Sequence, residues 1–378
     1  MATVNCRTVT PNSIPQAAAS RRSTANSSTA SFIAVAAIVF VSLATHSPSF
    51  ALEASPNQID ADFALQGEFL GATRSSAGKH YYGLQVVALG KGEFQGKLLI
   101  GGLPGAGWRN HPQVPVIGRR ESQTLVLRGA DWLVRVHDTA AVVRSPQGHE
   151  IRLDRIHRIS PTLDATPPRN AMILFRDGQA QRLENAKVND QGHLEKGCKT
   201  DFPVGDFRMH IEFRTPYMPE ARGQARGNSG VYVQERYEVQ ILDSFGLPGE
   251  NNECGALYKQ QPPTLNMCLP PLSWQTYDID FRAARFSADG QRVANARVTV
   301  LHNGEPIHSD YQITAKTGAG KAEGPDPRCI LLQDHGNPVE YRNVWIVPLT
   351  DHHESASHSH DQRRGVLRKI RRSANHGS

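Results

Sequence analysis

From Phe207 to Arg214 the chain alternates without a break, setting Phe207, Met209, Ile211 and Phe213 against Arg208, His210, Glu212 and Arg214. Successive side chains of a strand point to opposite faces, so this period of two puts the apolar groups on one side and the charges on the other. A helix would mix the two sets around its surface. The segment predicts a half-buried antiparallel strand. Residues 277–281 and 296–302 alternate in the same way, and the second run stops at Asn303-Gly304, a hairpin dipeptide. Residues 330–333 and 341–347 are further runs of strand length. No convincing amphipathic helix interrupts residues 169–350. Many short strands at regular intervals predict an all-β fold, with a β-sandwich over residues 171–350.

The 378 residues are enough for two domains. Residues 60–160 read as a small β-rich accessory domain, with strands at 81–89, 94–102, 123–127, 132–136, 141–144 and 150–154. Its Gly-rich run 101–107 lacks the Lys-Ser/Thr of a phosphate loop and the helix that should follow, so it reads as a structural turn. Residues 161–170, interrupted by Pro161, Pro167 and Pro168, predict a linker.

The first residues predict an address. A Ser/Thr/Ala-rich start with Arg21-Arg22, an apolar run over 32–43, and Ser49 and Ala51 in cleavage-site positions read as a secretory signal peptide at 1–51. An uncleaved anchor is the alternative. The protein is expected to be exported, to a periplasm, cell envelope or medium. Export permits disulfides among Cys198, Cys254, Cys268 and Cys329. Cys254 and Cys268 flank one loop and are the first pair expected, with buried free thiols as the other reading. The four are not spaced as a zinc site. The net charge of +6 owes much to a His/Arg-rich tail at 351–378, which reads as disordered. No basic groove interleaved with aromatics is present, so nucleic acid is not an expected partner.

The most telling chemistry lies in residues 227–243. The run 237–242 is a strand that sends Val239 and Ile241 to one face, and Glu238, Gln240 and Leu242 to the other. A bulge or strand end after Leu242 would bring Asp243 to the polar side. Two carboxylates and an amide within six residues suit acid–base work on a polyhydroxylated substrate. A merely solvated strand face is the plain alternative.

Taken together, several motifs occur in a telling order. They are Asp206-Phe207, Asn228-Ser229-Gly230, the segment from Tyr237 to Asp243, Cys254 to Tyr258, Trp274 to Asp278, Asn303-Gly304, and Leu332 to Gly336 leading to Tyr341-Arg342-Asn343. This set resembles the 3-keto-disaccharide hydrolase family, over residues 171–348. The resemblance implies a concanavalin-like (laminin-G-like) jelly roll and a hydrolase acting on glycosides oxidised at C3 of the glucose unit. A ketone at C3 acidifies the C2 hydrogen, so a base can remove it, the group at C1 can leave, and water can add back. The resemblance points to Glu238, Asp243 and His335 as catalytic candidates. It points to Asn228, Arg236, Gln240, Tyr258, Lys259 and Trp274 as substrate-binding candidates.

Laminarinase-type jelly rolls carry Glu-x-Asp-x-x-Glu where this chain has Glu238-x-Gln240-x-x-Asp243. The altered side chains put an ordinary double displacement in doubt. A divalent metal ion on the ketone oxygen is a further option, with no ligand spacing to support it. The rival class is a non-catalytic carbohydrate-binding or adhesion module, with Tyr232, Tyr237, Tyr258, Trp274 and Trp345 as stacking platforms.

Overall fold

The computed structural model describes residues 59–349 except 77, 110 and 111. The expected leader at 1–51 and tail at 351–378 lie outside the described residues. Eight strands form the N-terminal part: β1 (Gly67–Ser75), β2 (Gly78–Gly90), β3 (Glu93–Ile100), β4 (Gln113–Glu121), β5 (Thr124–Gly129), β6 (Trp132–Val136), β7 (Ala140–Arg144) and β8 (Glu150–Ile156). Each pairs antiparallel with the next, and β8 closes on β1, giving an up-and-down barrel. Side chains fill its interior, among them Phe69, Leu84, Phe94 and Leu98, so it is a packed core and not a channel. The Gly-rich run is a tight turn in which Leu103 and Ala106 exchange backbone hydrogen bonds of 3.1 and 2.8 Å.

The strands of the two sheets that follow are β9 (Met172–Arg176), β10 (Gln179–Ala180), β11 (Leu183–Glu184), β12 (Leu194–Glu195), β13 (Cys198–Thr200), β14 (Phe207–Arg214), β15 (Ser229–Val233) and β16 (Tyr237–Ile241). They continue with β17 (Gln275–Arg282), β18 (Ala296–His302), β19 (Glu305–Ile313), β20 (Leu331–Leu332) and β21 (Glu340–Pro348). The larger sheet runs β10-β9-β21-β14-β17-β18-β19, with β12 on β21, and the smaller runs β11-β13-β20-β15-β16. Their inner faces share one core, in which Phe207, Met209, Ile211 and Phe213 of β14 meet Val231, Val239, Ile241 and Leu332 of the smaller sheet. This is the sandwich that the alternation predicts.

Residues 161–170 are not a free linker. The segment lies as a strap over the outer face of the larger sheet, where Thr162 Oγ1 donates to Asp278 Oδ2 at 2.7 Å. The Asp164 amide donates to Glu212 Oε1 at 2.6 Å, and Asn343 Nδ2 to the Ala165 carbonyl at 3.0 Å. Prolines keep the segment from joining a ladder, so it crosses the strands instead. Beneath it His210 and Glu212 are fully buried, although alternation assigns them to a solvated face. His210 Nδ1 is 2.7 Å from Asp278 Oδ1 and Nε2 is 3.4 Å from Glu212 Oε1. Burial works to lower the imidazole pKa, but these carboxylates outweigh it and hold it above its ordinary value.

Barrel and sandwich interlock. Val87 of β2 packs in the sandwich core, and Tyr217 packs in the barrel core. All four described cysteines are free thiols, which corrects the expected Cys254–Cys268 bridge. Cys254 Sγ lies 3.2 Å from the Tyr277 hydroxyl instead.

Candidate active site

Strands β15 and β16 form a hairpin whose corner residues Gln234 and Glu235 both take positive φ, 51° and 50°. That turn fixes the register and pairs Tyr232 with Glu238 and Gly230 with Gln240. Because Val231, Val239 and Ile241 enter the core, the four paired residues share the outer face of the smaller sheet. Leu242, which alternation assigns to that face, follows the end of β16 and lies in the sandwich core instead. A Cβ at 230 would come within 2.5 Å of Glu238 Oε1, so a larger residue there would push the carboxylate from its place.

Glu238 is 2% exposed. The Tyr232 hydroxyl donates to its Oε2 at 2.7 Å, and no cation pairs with it among the described residues. Its backbone amide donates to Thr317 Oγ1 at 2.7 Å. Gly318 and Tyr258 close over the carboxylate, since a Cβ on Gly318 would lie 2.9 Å from Tyr258 Cδ1 and 3.7 Å from Glu238 Oε2. Burial pushes the Glu238 pKa up to about 7, against the downward pull of the Tyr232 hydrogen bond.

The Gln240 carboxamide lies between Glu238 Oε1 and Gln224 Oε1, 3.0 Å from each. With its nitrogen toward Glu238 it donates to the ionised carboxylate. In that orientation the same nitrogen also donates to the Ser229 carbonyl at 2.9 Å, which fixes the amide with its donor on Glu238. The polar surface continues through Asn228, whose Nδ2 donates to the Gln224 carbonyl at 2.8 Å. Asn228 Oδ1 and Gln333 Oε1 are buried acceptors without a protein partner.

The other sequence-derived candidates are dispersed. Asp243 is held in an ion pair away from Glu238's hydrogen bonds: its Oδ2 accepts from Arg226 Nε at 2.7 Å, and the Asp243 and Arg226 side chains are 0% and 6% exposed. Arg226 also donates to the Ala88 carbonyl of the barrel at 3.2 Å, so this pair fastens the two parts together. Arg236 is buried as a clamp, donating to the carbonyls of Ala322 and Asp326 at 2.9 Å each. Lys259 is exposed, with its ammonium 5.3 Å from the Tyr258 ring. His335 is exposed beyond β20, at the rim of the same sheet. Trp274 is on the far side of the sandwich, between the guanidinium groups of Arg214 and Arg342 at 5.0 and 4.5 Å. Among the described residues no group of three or more His, Cys, Asp or Glu is placed to hold a metal ion.

Tyr232, Thr317, Gly318, Gln224 and Gln333 were absent from the candidates for the site's chemistry. Alternation could have found Tyr232, which pairs with Glu238 across the hairpin. The others carry no local signal.

Residues 162–347, the strap and the sandwich, match the family model of the 3-keto-alpha-glucoside-1,2-lyase-like domain, the 3-keto-disaccharide hydrolase family that the motifs resemble. A solved structure of a presumed glycosyl hydrolase from Parabacteroides distasonis is 29% identical, with 52% of this chain and 98% of that one covered and a TM-score of 0.43. A second from the same organism, described in the same words, is 20% identical over 48% of this chain and 89% of that one, with a TM-score of 0.32. At such scores the overlays carry no argument about geometry.

Proposed function

We propose that the sandwich cleaves the glycosidic bond of 3-keto glycosides, with Glu238 as the acid–base group. The observation that carries this reading is a carboxylate held near neutrality by burial, oriented by Tyr232 and Gln240, with no countercharge to quench it. Such a group takes a proton and returns it with little penalty at pH 7. Ionised Glu238 removes the hydrogen from C2 of the keto sugar, and the electron pair is delocalised onto the C3 oxygen. The pair then forms the C1–C2 double bond as the C1–O bond breaks, and protonated Glu238 delivers its proton to the departing oxygen. Water adds across the double bond, hydroxyl to C1 and hydrogen to C2, giving 3-ketoglucose and the free aglycone.

The lone carboxylate favours this route over double displacement, which needs a second carboxyl about 5–5.5 Å away. Asp243 is already committed to Arg226. The unpartnered acceptors Asn228 Oδ1 and Gln333 Oε1 suit sugar hydroxyls. Tyr258 flanks the covered carboxylate, and Lys259 and His335 lie at the periphery. For substrate to reach Glu238, residues 315–320 must swing off it. On the strength of the expected leader we place the activity outside the cytoplasm.

A 3-keto glucoside bearing a chromogenic aglycone tests the reading. Wild type should release the chromophore, and Glu238→Gln should not, while keeping its circular dichroism spectrum. Turnover in deuterated water should place deuterium at C2 of the product. Binding without release by the wild type would transfer the case to a non-catalytic carbohydrate-binding module.

A further inference from the structure

We propose that the outer face of the larger sheet carries a second saccharide-binding site, on the opposite side of the sandwich from Glu238. The placement follows from register. Trp345, His210, Asp278 and Leu301 form one row across β21, β14, β17 and β18. Val347, Arg208, Asp280 and Thr299 form the next row, two residues along each strand. The rows are roughly 7 Å apart, two strand steps, which is about the width of a pyranose ring. Trp345, Asp278, Leu301, Val347, Arg208 and Asp280 of these rows line a groove of about 540 Å³ that Pro168, Asn170 and Leu349 also border. That volume falls in the range of small-ligand sites.

The lining has the two-sided chemistry of a sugar. The Trp345 indole is braced from behind by His210, with ring centres 5.2 Å apart and planes 21° from parallel. The buried ion network under the strap thus fixes the platform, which offers its apolar surface to the C–H face of a ring. In the adjacent row Arg208 Nε donates to Asp280 Oδ2 at 3.0 Å, and the two side chains are 65% and 32% exposed. A guanidinium with spare N–H groups beside a carboxylate provides donors and acceptors together, as a vicinal diol requires. Both carboxylates of the groove already have partners, Asp278 in His210 at 2.7 Å and Asp280 in Arg208 at 3.0 Å, which fits an uncharged ligand better than an ionic one. The occupant assigned is a neutral gluco-oligosaccharide with equatorial hydroxyls. Only the ligand class leans on the proposed hydrolase function; the groove and its lining do not.

Cellotriose and maltotriose, titrated against full-length Glu238→Gln by calorimetry and followed by tryptophan fluorescence, test the assignment. At least one should bind, and Arg208→Ala in that background should weaken it roughly tenfold or more, the size expected for a lost charge-assisted hydrogen bond. Trp345→Phe, which keeps a ring in place, should weaken it less and remove the fluorescence change. In the otherwise wild-type chain, Arg208→Ala should leave turnover of the small chromogenic 3-keto glucoside unaltered. No binding of either sugar at millimolar concentration, or binding indifferent to Arg208→Ala but abolished by Gln240→Ala, would overturn the second site. A protein that binds through Arg208 yet turns over no keto sugar would keep this site and discard the proposed reaction.

Discussion

Replacing Glu238 with Gln should stabilise the protein at neutral pH while ending its chemistry. An unperturbed glutamate ionises near 4.5, whereas Glu238 in the fold does so near 7. Between those values the folded chain holds a proton that the unfolded chain releases, so stability falls as pH rises through this window. Each pH unit corresponds to ~1.4 kcal/mol, giving a cost of about 3 kcal/mol above pH 7 that is absent below pH 4.5. Glutamine matches the protonated shape without ionising. The assay is urea unfolding of wild type and Glu238→Gln at several pH values from 4 to 8, read as the difference between the two, which cancels every other titrating group. The difference should be small at pH 4 and grow to about 3 kcal/mol in favour of the variant by pH 8. Parallel stability profiles would refute the argument, because they would mean that the carboxylate is solvated and not held in a low-dielectric site.

Other substitutions give separate tests. Tyr232→Phe removes the hydroxyl that favours the ionised carboxylate, a charge-assisted bond of about 1.5–3 kcal/mol, so the ionisation seen in kcat/KM should move up by roughly one to two pH units. Asp243→Ala leaves Arg226 buried without its partner and should cost about 3–5 kcal/mol in urea unfolding. His210 binds its proton more tightly when folded, so its contribution is fully present below pH 6.5 and is lost as pH rises through its elevated folded value. The stability gap between wild type and His210→Asn should accordingly be widest at acidic pH and narrow on the alkaline side.

Much of the fold was legible because strand alternation is a local signal. The face of β14 that enters the core is the one its period predicts, and β16 turns Glu238 and Gln240 outward as read. Strand β4 was not recognised, because Pro115 and Gly118 look like breakers. Gly118 stands in a strand because a Cβ there would come 1.8 Å from the Val126 carbonyl oxygen of β5. The site was legible only in its first residue pair. Asp243 looked available because its consort Arg226 comes from a loop before β15, and nothing in the spacing reveals that union. Thr317, 79 positions after Glu238, closes on it through tertiary structure alone. His210 and Glu212 were assigned to water because a strap of proline-broken chain shows no preference for what it will cover.

The exchange of Val87 and Tyr217 between two hydrophobic interiors has a consequence for how this molecule could be divided. A sandwich freed of its barrel would lose the Val87 side chain from its own core, and Arg226, the escort of Asp243, would lose the Ala88 carbonyl it grips. The hundred residues ahead of the family domain are therefore less a passenger than a keystone.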